Sequence, residues 1–277
     1  MVGTASGASG RARIVRLGVA ATGRLGADVL EGLAADHEVS FLLTRPDRPR
    51  GRGLRVAAPP AKAVAERLDV PVLQPERLGP ELQLDADVVV IAAYGALIPN
   101  DLLERALWLN VHPSLLPRWR GAAPVERAIM AGDRVTGVTI HQTVAELDAG
   151  PIAAQQAFAI EPEDDAGVVY RRSAAVAVEL LALVLPEPAF VLQPEEGVTY
   201  AHKITAADRQ LDLDGPATET LDRVRALSPH VGARAELHGR RVLVWKARLE
   251  DGRVVPVEVQ PEGRRRMSYE EFARGVR

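Results

Sequence analysis

The chain of 277 residues contains no cysteine and few aromatic residues. The absence of cysteine excludes disulfide bonds, thiolate zinc sites and a cysteine nucleophile. It also agrees with a reducing compartment, so we expect a cytoplasmic protein. Aromatic residues make up 4% of the chain, and the core must therefore consist mainly of Val, Leu, Ala and Ile. The hydrophobic fraction of 47% is ordinary for a globular protein and is sufficient for a sizeable core.

A strong net charge and a membrane-spanning run are missing as well. The formal net charge is −3, which gives no overall attraction to nucleic acid, so any basic surface must be local. No apolar run reaches the roughly 20 residues that a membrane span needs. Residues 1–10 are small and polar and lack the apolar centre of a signal peptide, so we expect a disordered lead-in. The six His are scattered without ligand spacing, and no metal is expected.

Short apolar runs alternate with helical patterns over the first two thirds of the chain. The run DVVVIAA at residues 87–93 is typical of a strand that is covered on both faces. We expect strands at residues 14–20, 39–43, 71–74, 87–93, 108–112, 137–144 and 152–160, and helices near residues 25–35, 61–68, 124–131 and 166–185 and after Pro99. This alternation predicts an α/β fold with a doubly wound, mostly parallel, Rossmann-like sheet.

The composition changes after residue 185. The stretch PEPAFVLQPEEG holds three Pro and three Glu, which is typical of a linker. A helix at residues 217–227, strands at 233–237, 241–249 and 253–259 and a short helix at 269–276 predict a smaller, mainly β, barrel-like unit. We therefore divide the chain into a lead-in (1–10), a catalytic domain (11–187), a linker (188–204) and a small C-terminal domain (205–277).

The stretch LNVHPSLLPRWRGAAP places two polar side chains on an otherwise apolar strand. Asn110 and His112 are two residues apart, so they point to the same face of the strand. Ligands of open α/β sheets bind beyond the carboxyl ends of the strands. Asn can donate hydrogen bonds to a developing oxyanion, and His can transfer a proton. The alternative is a His satisfied by the backbone at a strand end, which the Asn-x-His pair makes less attractive.

Three further features surround this pair. Asp148 follows the strand at residues 137–144 and stands beside a tight turn, where an acidic residue is usually a turn former. If the loop folds back over the sheet edge, Asp148 can orient His112 and raise its pKa by opposite charge. His141 lies mid-strand, which favours a structural role. The loop SLLP is either a rigid connector or a set of backbone groups for a flat heterocycle.

A local basic segment lies at residues 44–55, TRPDRPRGRGLR. Five Arg against one Asp leave a local charge of +4. Its two Gly and two Pro disfavour a helix. Such a segment suits contact with phosphates, although composition alone allows a solvated basic loop equally well.

Taken together, these motifs resemble a known family. NVHPSLLPRWRGAAPVERAIMAGD and GVTIHQTVAELDAGPI are similar to segments of the 10-formyltetrahydrofolate-dependent formyltransferases, and so are LLTRPDRPRGRG, VPVLQPERL and VVVIAAYGALIP. The similarity is strong over residues 40–165. It continues more weakly through residues 199–215 and 242–249. Asn-x-His followed by SLLPxxRG and an Asp-x-Gly loop is a highly specific combination.

The resemblance implies particular roles for these residues. Asn110, His112 and Asp148 correspond to the family's catalytic trio, in which Asn and a protonated His stabilise the oxyanion and Asp keeps the His charged. The implied co-substrate is 10-formyltetrahydrofolate, and the implied acceptor and partner is initiator methionyl-tRNA, bound by a monomeric enzyme without a metal. The implied folate contacts are Ser114, Leu115, Leu116, Pro117, Ala93, Tyr94 and Gly95. The implied tRNA contacts are Arg48, Arg50 and Arg52, with the C-terminal domain assisting.

The chain also departs from the family pattern. Residues 19–26, VAATGRLG, lack the Pro and Phe that are usual in the first turn, which lines the substrate side. Residues 228–234 replace a Pro-Trp-Pro-Gly stretch, and a strand is expected to be missing around residues 250–253. Two alternatives therefore stay open. One is a formyltransferase for a sugar-nucleotide amine, which the basic segment disfavours. The other is a paralogue that binds folate or RNA without turnover, which the intact trio disfavours.

Overall fold

The computed structural model describes residues 15–50 and 55–276. Its strands are β1 (Leu17–Ala21), β2 (Val39–Leu43), β3 (Arg48–Arg50), β4 (Arg55–Ala57), β5 (Val72–Leu73), β6 (Val88–Ala92), β7 (Leu107–His112), β8 (Arg120–Gly121), β9 (Val135–Gln142), β10 (Ile152–Ala159), β11 (Tyr200–Ala201), β12 (Ala233–Leu237), β13 (Arg240–Glu250), β14 (Arg253–Pro261) and β15 (Met267–Ser268). Its helices are α1 (Arg24–Asp36), α2 (Pro60–Arg67), α3 (Asn100–Leu103), α4 (Pro124–Met130), α5 (Ala166–Val184), α6 (Ala217–Leu227) and α7 (Tyr269–Arg274).

Seven strands form the central sheet in the order β10-β9-β7-β6-β1-β2-β5. The strands from β7 to β5 are parallel to one another. Strand β9 pairs antiparallel with β7 at the opposite edge from β5, and β10 pairs antiparallel with β9. All five residues of β1 and of β6 are buried, as expected for apolar strands at the centre of a covered sheet. The predicted α/β class with a mostly parallel sheet is confirmed.

Two apolar layers cover the sheet. One face packs on α1 and α5 through a cluster that includes Val19, Leu30 and Leu181, and the other face carries a cluster that includes Phe41 and Trp108. Helix α5 begins where the Asp165 carboxylate accepts a hydrogen bond from the Val168 N–H at 2.8 Å, a usual N-terminal cap. Within the described ranges, no helix combines the length and apolarity needed to cross a bilayer.

The C-terminal part is a four-stranded antiparallel sheet in the order β12-β13-β14-β15. Helices α6 and α7 bury an apolar cluster against it that includes Val224, Val244 and Phe272. Strands β13 and β14 join in a tight hairpin at Asp251 and Gly252, which both have positive φ. The short strand β15, which pairs with β14, is an addition to the expected elements.

The segment expected to be a linker, residues 188–204, packs against the central sheet. Val191 and Ile152 exchange backbone hydrogen bonds of 2.7 and 2.9 Å. Strand β11 pairs in parallel with β8. Composition predicts a linker here, and its backbone groups complete ladders on residues that are far away in sequence.

The basic segment contains a β-hairpin, since β3 and β4 pair antiparallel. Its base is fixed by Asp47, whose carboxylate accepts hydrogen bonds of 2.7 Å from Lys62 and 2.7 Å from Gln74. Arg48 and Arg50 lie in β3, and Arg48 is exposed. Arg52 falls outside the described residues.

Candidate active site

Asn110 and His112 lie at the carboxyl end of β7, on the same face of the sheet. The antiparallel neighbour β9 places His141 directly opposite Asn110 and Thr139 opposite His112. The loop between β9 and β10 returns over this edge and brings Asp148 into the group. The three residues predicted as a trio therefore lie together, and His141 joins them as a fourth member.

The Asp148 carboxylate contacts every other member of this cluster. Its Oδ1 accepts a hydrogen bond from Asn110 Nδ2 at 3.2 Å and lies 3.6 Å from His141 Nε2. Its Oδ2 accepts the Gly121 N–H at 2.8 Å and lies 3.7 Å from His112 Nδ1. The side chains of His112, His141 and Asp148 are 5%, 1% and 10% exposed, so their charges interact with little screening by water.

The hydrogen bonds determine which imidazole nitrogen of His141 carries its proton. Nδ1 lies 3.0 Å from the carbonyl oxygen of Gln142, which can only accept, so Nδ1 is protonated. In the neutral ring Nε2 then accepts, and it lies 3.0 Å from Asn110 Nδ2. The Asn110 amide is thus held by two acceptors, His141 and Asp148, and this fixes its orientation.

The same reasoning applies to His112. Its Nε2 lies 2.8 Å from the carbonyl oxygen of Trp119 and must donate. In the neutral ring Nδ1 therefore has a lone pair that faces Asp148. Burial lowers the pKa of His112 below its ordinary value, although Asp148 and the Trp119 carbonyl act to raise it. This direction runs against the expectation that Asp148 keeps a resting His112 protonated, because burial disfavours the cation while the carboxylate favours it.

Asp148 itself stays ionised. Burial raises the pKa of Asp148, but His141 and His112, when their rings carry a second proton, and the Gly121 N–H together lower it below its ordinary value. Asp148 has φ 48° and Trp119 has φ 64°. Such values are uncommon for non-glycine residues and recur at functional sites, where surrounding contacts hold them in place.

The SLLP loop is attached to β9. The Thr139 hydroxyl donates to the carbonyl oxygen of Ser114 at 2.7 Å and accepts the Leu116 N–H at 3.1 Å. The side chains of Ser114 and Leu116 are buried, whereas Leu115 and Pro117 are partly exposed. This loop is therefore rigid and presents only part of its surface to a ligand.

The second predicted folate wall follows β6, the strand beside β7. Ala93 and Gly95 are exposed there, but the Tyr94 ring is 3% exposed and packs in the core. The altered first turn lies against this wall. Thr22 Oγ1 donates to the Tyr94 carbonyl oxygen at 2.8 Å, and the Gly23 N–H donates to the Ala93 carbonyl oxygen at 3.2 Å.

A separate cavity of about 440 Å³ lies between α6 and β13. Trp245 and Arg225 contribute to its walls, and the trio and the SLLP loop do not. Among the described residues, no group of three or more acidic or His side chains is arranged to hold a metal ion.

Residues 12–185 match the formyl transferase family, and residues 203–254 match the formyl transferase C-terminal domain. The chain belongs to the formyl transferase family. A methionyl-tRNA formyltransferase of Cereibacter sphaeroides is 40% identical to this formyl transferase over 280 aligned residues, which cover 89% of the present chain and 91% of that protein.

Two solved structures share the fold. The methionyl-tRNA formyltransferase from Clostridium thermocellum matches this formyl transferase with a TM-score of 0.64 at 13% identity, covering 90% of the present chain and 99% of that one. HypX from Aquifex aeolicus in complex with tetrahydrofolic acid matches with a TM-score of 0.68 at 19% identity, covering 95% of the chain but 47% of HypX. At these identities the likeness concerns the fold.

Proposed function

We propose that this formyl transferase transfers the formyl group of 10-formyltetrahydrofolate to the α-amino group of initiator methionyl-tRNA. The observation that carries the proposal is the 40% identity to a methionyl-tRNA formyltransferase along 91% of that protein. The tetrahydrofolic acid bound by the structural neighbour HypX supports a folate donor. We expect the enzyme to act as a monomer in the cytoplasm.

In the proposed reaction, the amine nitrogen attacks the formyl carbon on folate N10. The carbonyl double bond becomes an oxyanion, which needs hydrogen-bond donors. The Asn110 NH₂ group lies at the carboxyl end of β7, where its two hydrogens bind His141 and Asp148, so in this proposal one of them moves from its acceptor to the oxyanion. A donor oriented in advance within a buried cluster stabilises the oxyanion more than a mobile donor in water does.

The attacking amine must lose a proton, and His112 with Asp148 accepts it in this proposal. Its Nε2 is bound to the Trp119 carbonyl, so the proton enters at Nδ1, facing Asp148 Oδ2 at 3.7 Å. The cation formed there gains the attraction of the carboxylate. The C–N10 bond then breaks, N10 takes the proton that His112 accepted, and formylmethionyl-tRNA and tetrahydrofolate are released while His112 returns to its neutral form. No covalent enzyme intermediate is required.

The two substrates approach from adjoining surfaces in this proposal. The folate ring contacts the SLLP residues, Ser114, Leu115, Leu116 and Pro117, and the wall formed by Ala93, Tyr94 and Gly95. The tRNA contacts Arg48, Arg50 and Arg52 of the basic segment at residues 44–55, with residues 205–277 assisting. The exposed Arg48 and the fixed base of the hairpin support a phosphate-binding role.

The test supplies the purified protein with 10-formyltetrahydrofolate and one of three acceptors: methionyl-tRNA, an amino-sugar nucleotide or free methionine. We expect formylmethionyl-tRNA as the product, detected after acid hydrolysis of the ester. Formylation of the sugar nucleotide alone would assign the alternative acceptor. No product from any acceptor, with folate or tRNA still bound, would show that the protein only binds.

A further inference from the structure

The segment 188–204 crosses the outer side of the Asp148 loop and inserts one polar side chain into it. Gln193 Nε2 donates hydrogen bonds of 2.8 Å to the carbonyl oxygen of Asp148 and 2.8 Å to that of Gly150. Gln193 Oε1 accepts two hydrogen bonds from the Arg120 guanidinium, from Nε at 3.2 Å and from an Nη at 2.7 Å. One amide thus joins two chain segments that meet at the candidate active site.

These partners leave a single orientation for the amide. A guanidinium only donates, and a backbone carbonyl only accepts, so the Gln193 oxygen must face Arg120 and its NH₂ group must face the loop. The Arg120 side chain is 9% exposed and lies 3.6 Å from the exposed Glu146 carboxylate, while Gln193 Oε1 gives it closer acceptor contacts of 2.7 and 3.2 Å. Each atom of the amide therefore has a partner of the right kind, and the contact fixes a definite geometry.

The loop that Gln193 holds needs this external support. Asp148 has φ 48°, a conformation that costs energy for a residue with a Cβ. Its carboxylate must remain within reach of Asn110, His112 and the Gly121 N–H, at distances from 2.8 to 3.7 Å. Gly121 follows Arg120 directly, so Gln193 holds both the segment that carries the Gly121 N–H donor and the loop that carries its acceptor, the Asp148 carboxylate.

We propose that Gln193 is a positioning residue for Asp148, through which the segment leading to the C-terminal domain aligns the catalytic carboxylate. This proposal rests on the proposed function, since it assigns to Asp148 a part in formyl transfer. Gln193 itself contacts the loop backbone and Arg120, so it acts through Asp148.

Replacement of Gln193 by Glu tests whether Gln193 positions the Asp148 loop through its hydrogen bonds or only fills the space beside it. Glu keeps the shape and the oxygen that faces Arg120, and adds an ion pair with that buried guanidinium. It replaces the NH₂ group by a second acceptor, which then opposes the carbonyl oxygens of Asp148 and Gly150. The fold keeps its contacts on one side while the loop is repelled on the other.

The experiment compares wild type, Gln193→Glu, Gln193→Ala and the control Gln156→Glu, an exposed position on β10 with the same change of charge. We expect Gln193→Glu to lower kcat for methionyl-tRNA about 10- to 100-fold, as displacement of a catalytic group by about 1 Å does. KM for both substrates should stay within about twofold and the melting temperature should not fall. Gln193→Ala should lose activity in the same direction. The control should match wild type.

Two readouts go beyond activity. The acid limb of the kcat profile should move to lower pH in Gln193→Ala, because a displaced Asp148 no longer acts to raise the pKa of His112, whose neutral ring accepts the proton. Amide hydrogen exchange over residues 143–150 should accelerate in both Gln193 variants. Unchanged kcat, acid limb and exchange rates in both folded variants would overturn the proposal. If wild type fails to formylate methionyl-tRNA, the proposed function fails, and the exchange measurement still decides whether Gln193 holds the loop.

Discussion

Replacement of Asp148 by Asn is the most informative single change in this enzyme. It preserves size and removes one charge from the centre of the cluster. The carboxylate accepts from Asn110 through one oxygen and from the Gly121 N–H through the other. An amide has one acceptor and one donor group, so either orientation places its NH₂ against a neighbouring donor. The variant therefore loses a charge and one hydrogen bond.

The size of the effect follows from the distance to His112. In the proposed mechanism the proton from the amine rests on His112 Nδ1, which lies 3.7 Å from Asp148 Oδ2. At this distance two unit charges in an effective dielectric of about 20 attract by about 4.5 kcal/mol. At about 1.4 kcal/mol per factor of ten, Asp148→Asn should lower the rate of formyl transfer by about three orders of magnitude.

Single-turnover formylation with saturating enzyme measures this step directly. We expect the rate constant to fall while the Kd for folate changes by less than about threefold, because the interaction forms with the transition state. Asp101→Asn, an exposed change of the same kind on α3, is the matched control. A folded Asp148→Asn protein with a near wild-type single-turnover rate would refute the assignment of His112 and Asp148 as the proton acceptor.

Three further predictions concern other parts of the molecule. Gly121→Ala should lower both the melting temperature and kcat, because Gly121 has φ 121° and an added Cβ would lie 2.8 Å from the Ala201 carbonyl oxygen; a wild-type rate would contradict this. Arg52→Gln should reduce the slope of log K for tRNA against log salt by about 1 in filter binding, and an unchanged slope would exclude a phosphate contact. Glu126→Gln should raise the free energy of unfolding at pH 7.5 but not at pH 4.5. Burial raises the pKa of Glu126, so the wild-type fold loses stability as pH rises through that pKa. The hydrogen bond from Tyr170 is kept by Gln, and equal gains at both pH values in denaturant titrations would refute this reasoning.

Much of the fold was predictable because it depends on local patterns. The periodicities of β2, α6 and β12 end at clear boundaries, and their predicted and observed ranges coincide. Strand β15 has two residues and exists only through pairing with β14, so no periodic signal marks it. The segment 188–204 has the composition of a linker, but backbone hydrogen bonds to distant residues hold it in place. Composition carries no information on such pairings.

The candidate site was predictable to the extent that residues two apart share a strand face, as Asn110 and His112 do. His141 could not be assigned in this way, because its place opposite Asn110 depends on the register of β7 and β9. The sequence held a partial signal, since His141 and Thr139 are two residues apart and therefore share one face of their strand. The protonation of His112 depends on burial, which only the tertiary structure supplies. Gln193 gave no signal, because its partners lie more than 40 residues away.

The hydrogen bonds of the cluster show where a proton can be taken up. Asn110, His141 and Asp148 satisfy one another, with each donor facing an acceptor. Two pairs of atoms are both acceptors when the rings are neutral, His112 Nδ1 with Asp148 Oδ2 at 3.7 Å and His141 Nε2 with Asp148 Oδ1 at 3.6 Å. The Asn110 amide donates to both atoms of the second pair, so the first pair is the mismatch that a proton relieves. A proton placed on His112 Nδ1 turns this mismatch into an ion pair, which in the proposed mechanism is the state that forms as the amine attacks. Burial lowers the pKa of His112 and so favours a neutral ring whose Nδ1 is free for the proton when the substrate arrives, whereas a resting imidazolium would have filled it beforehand.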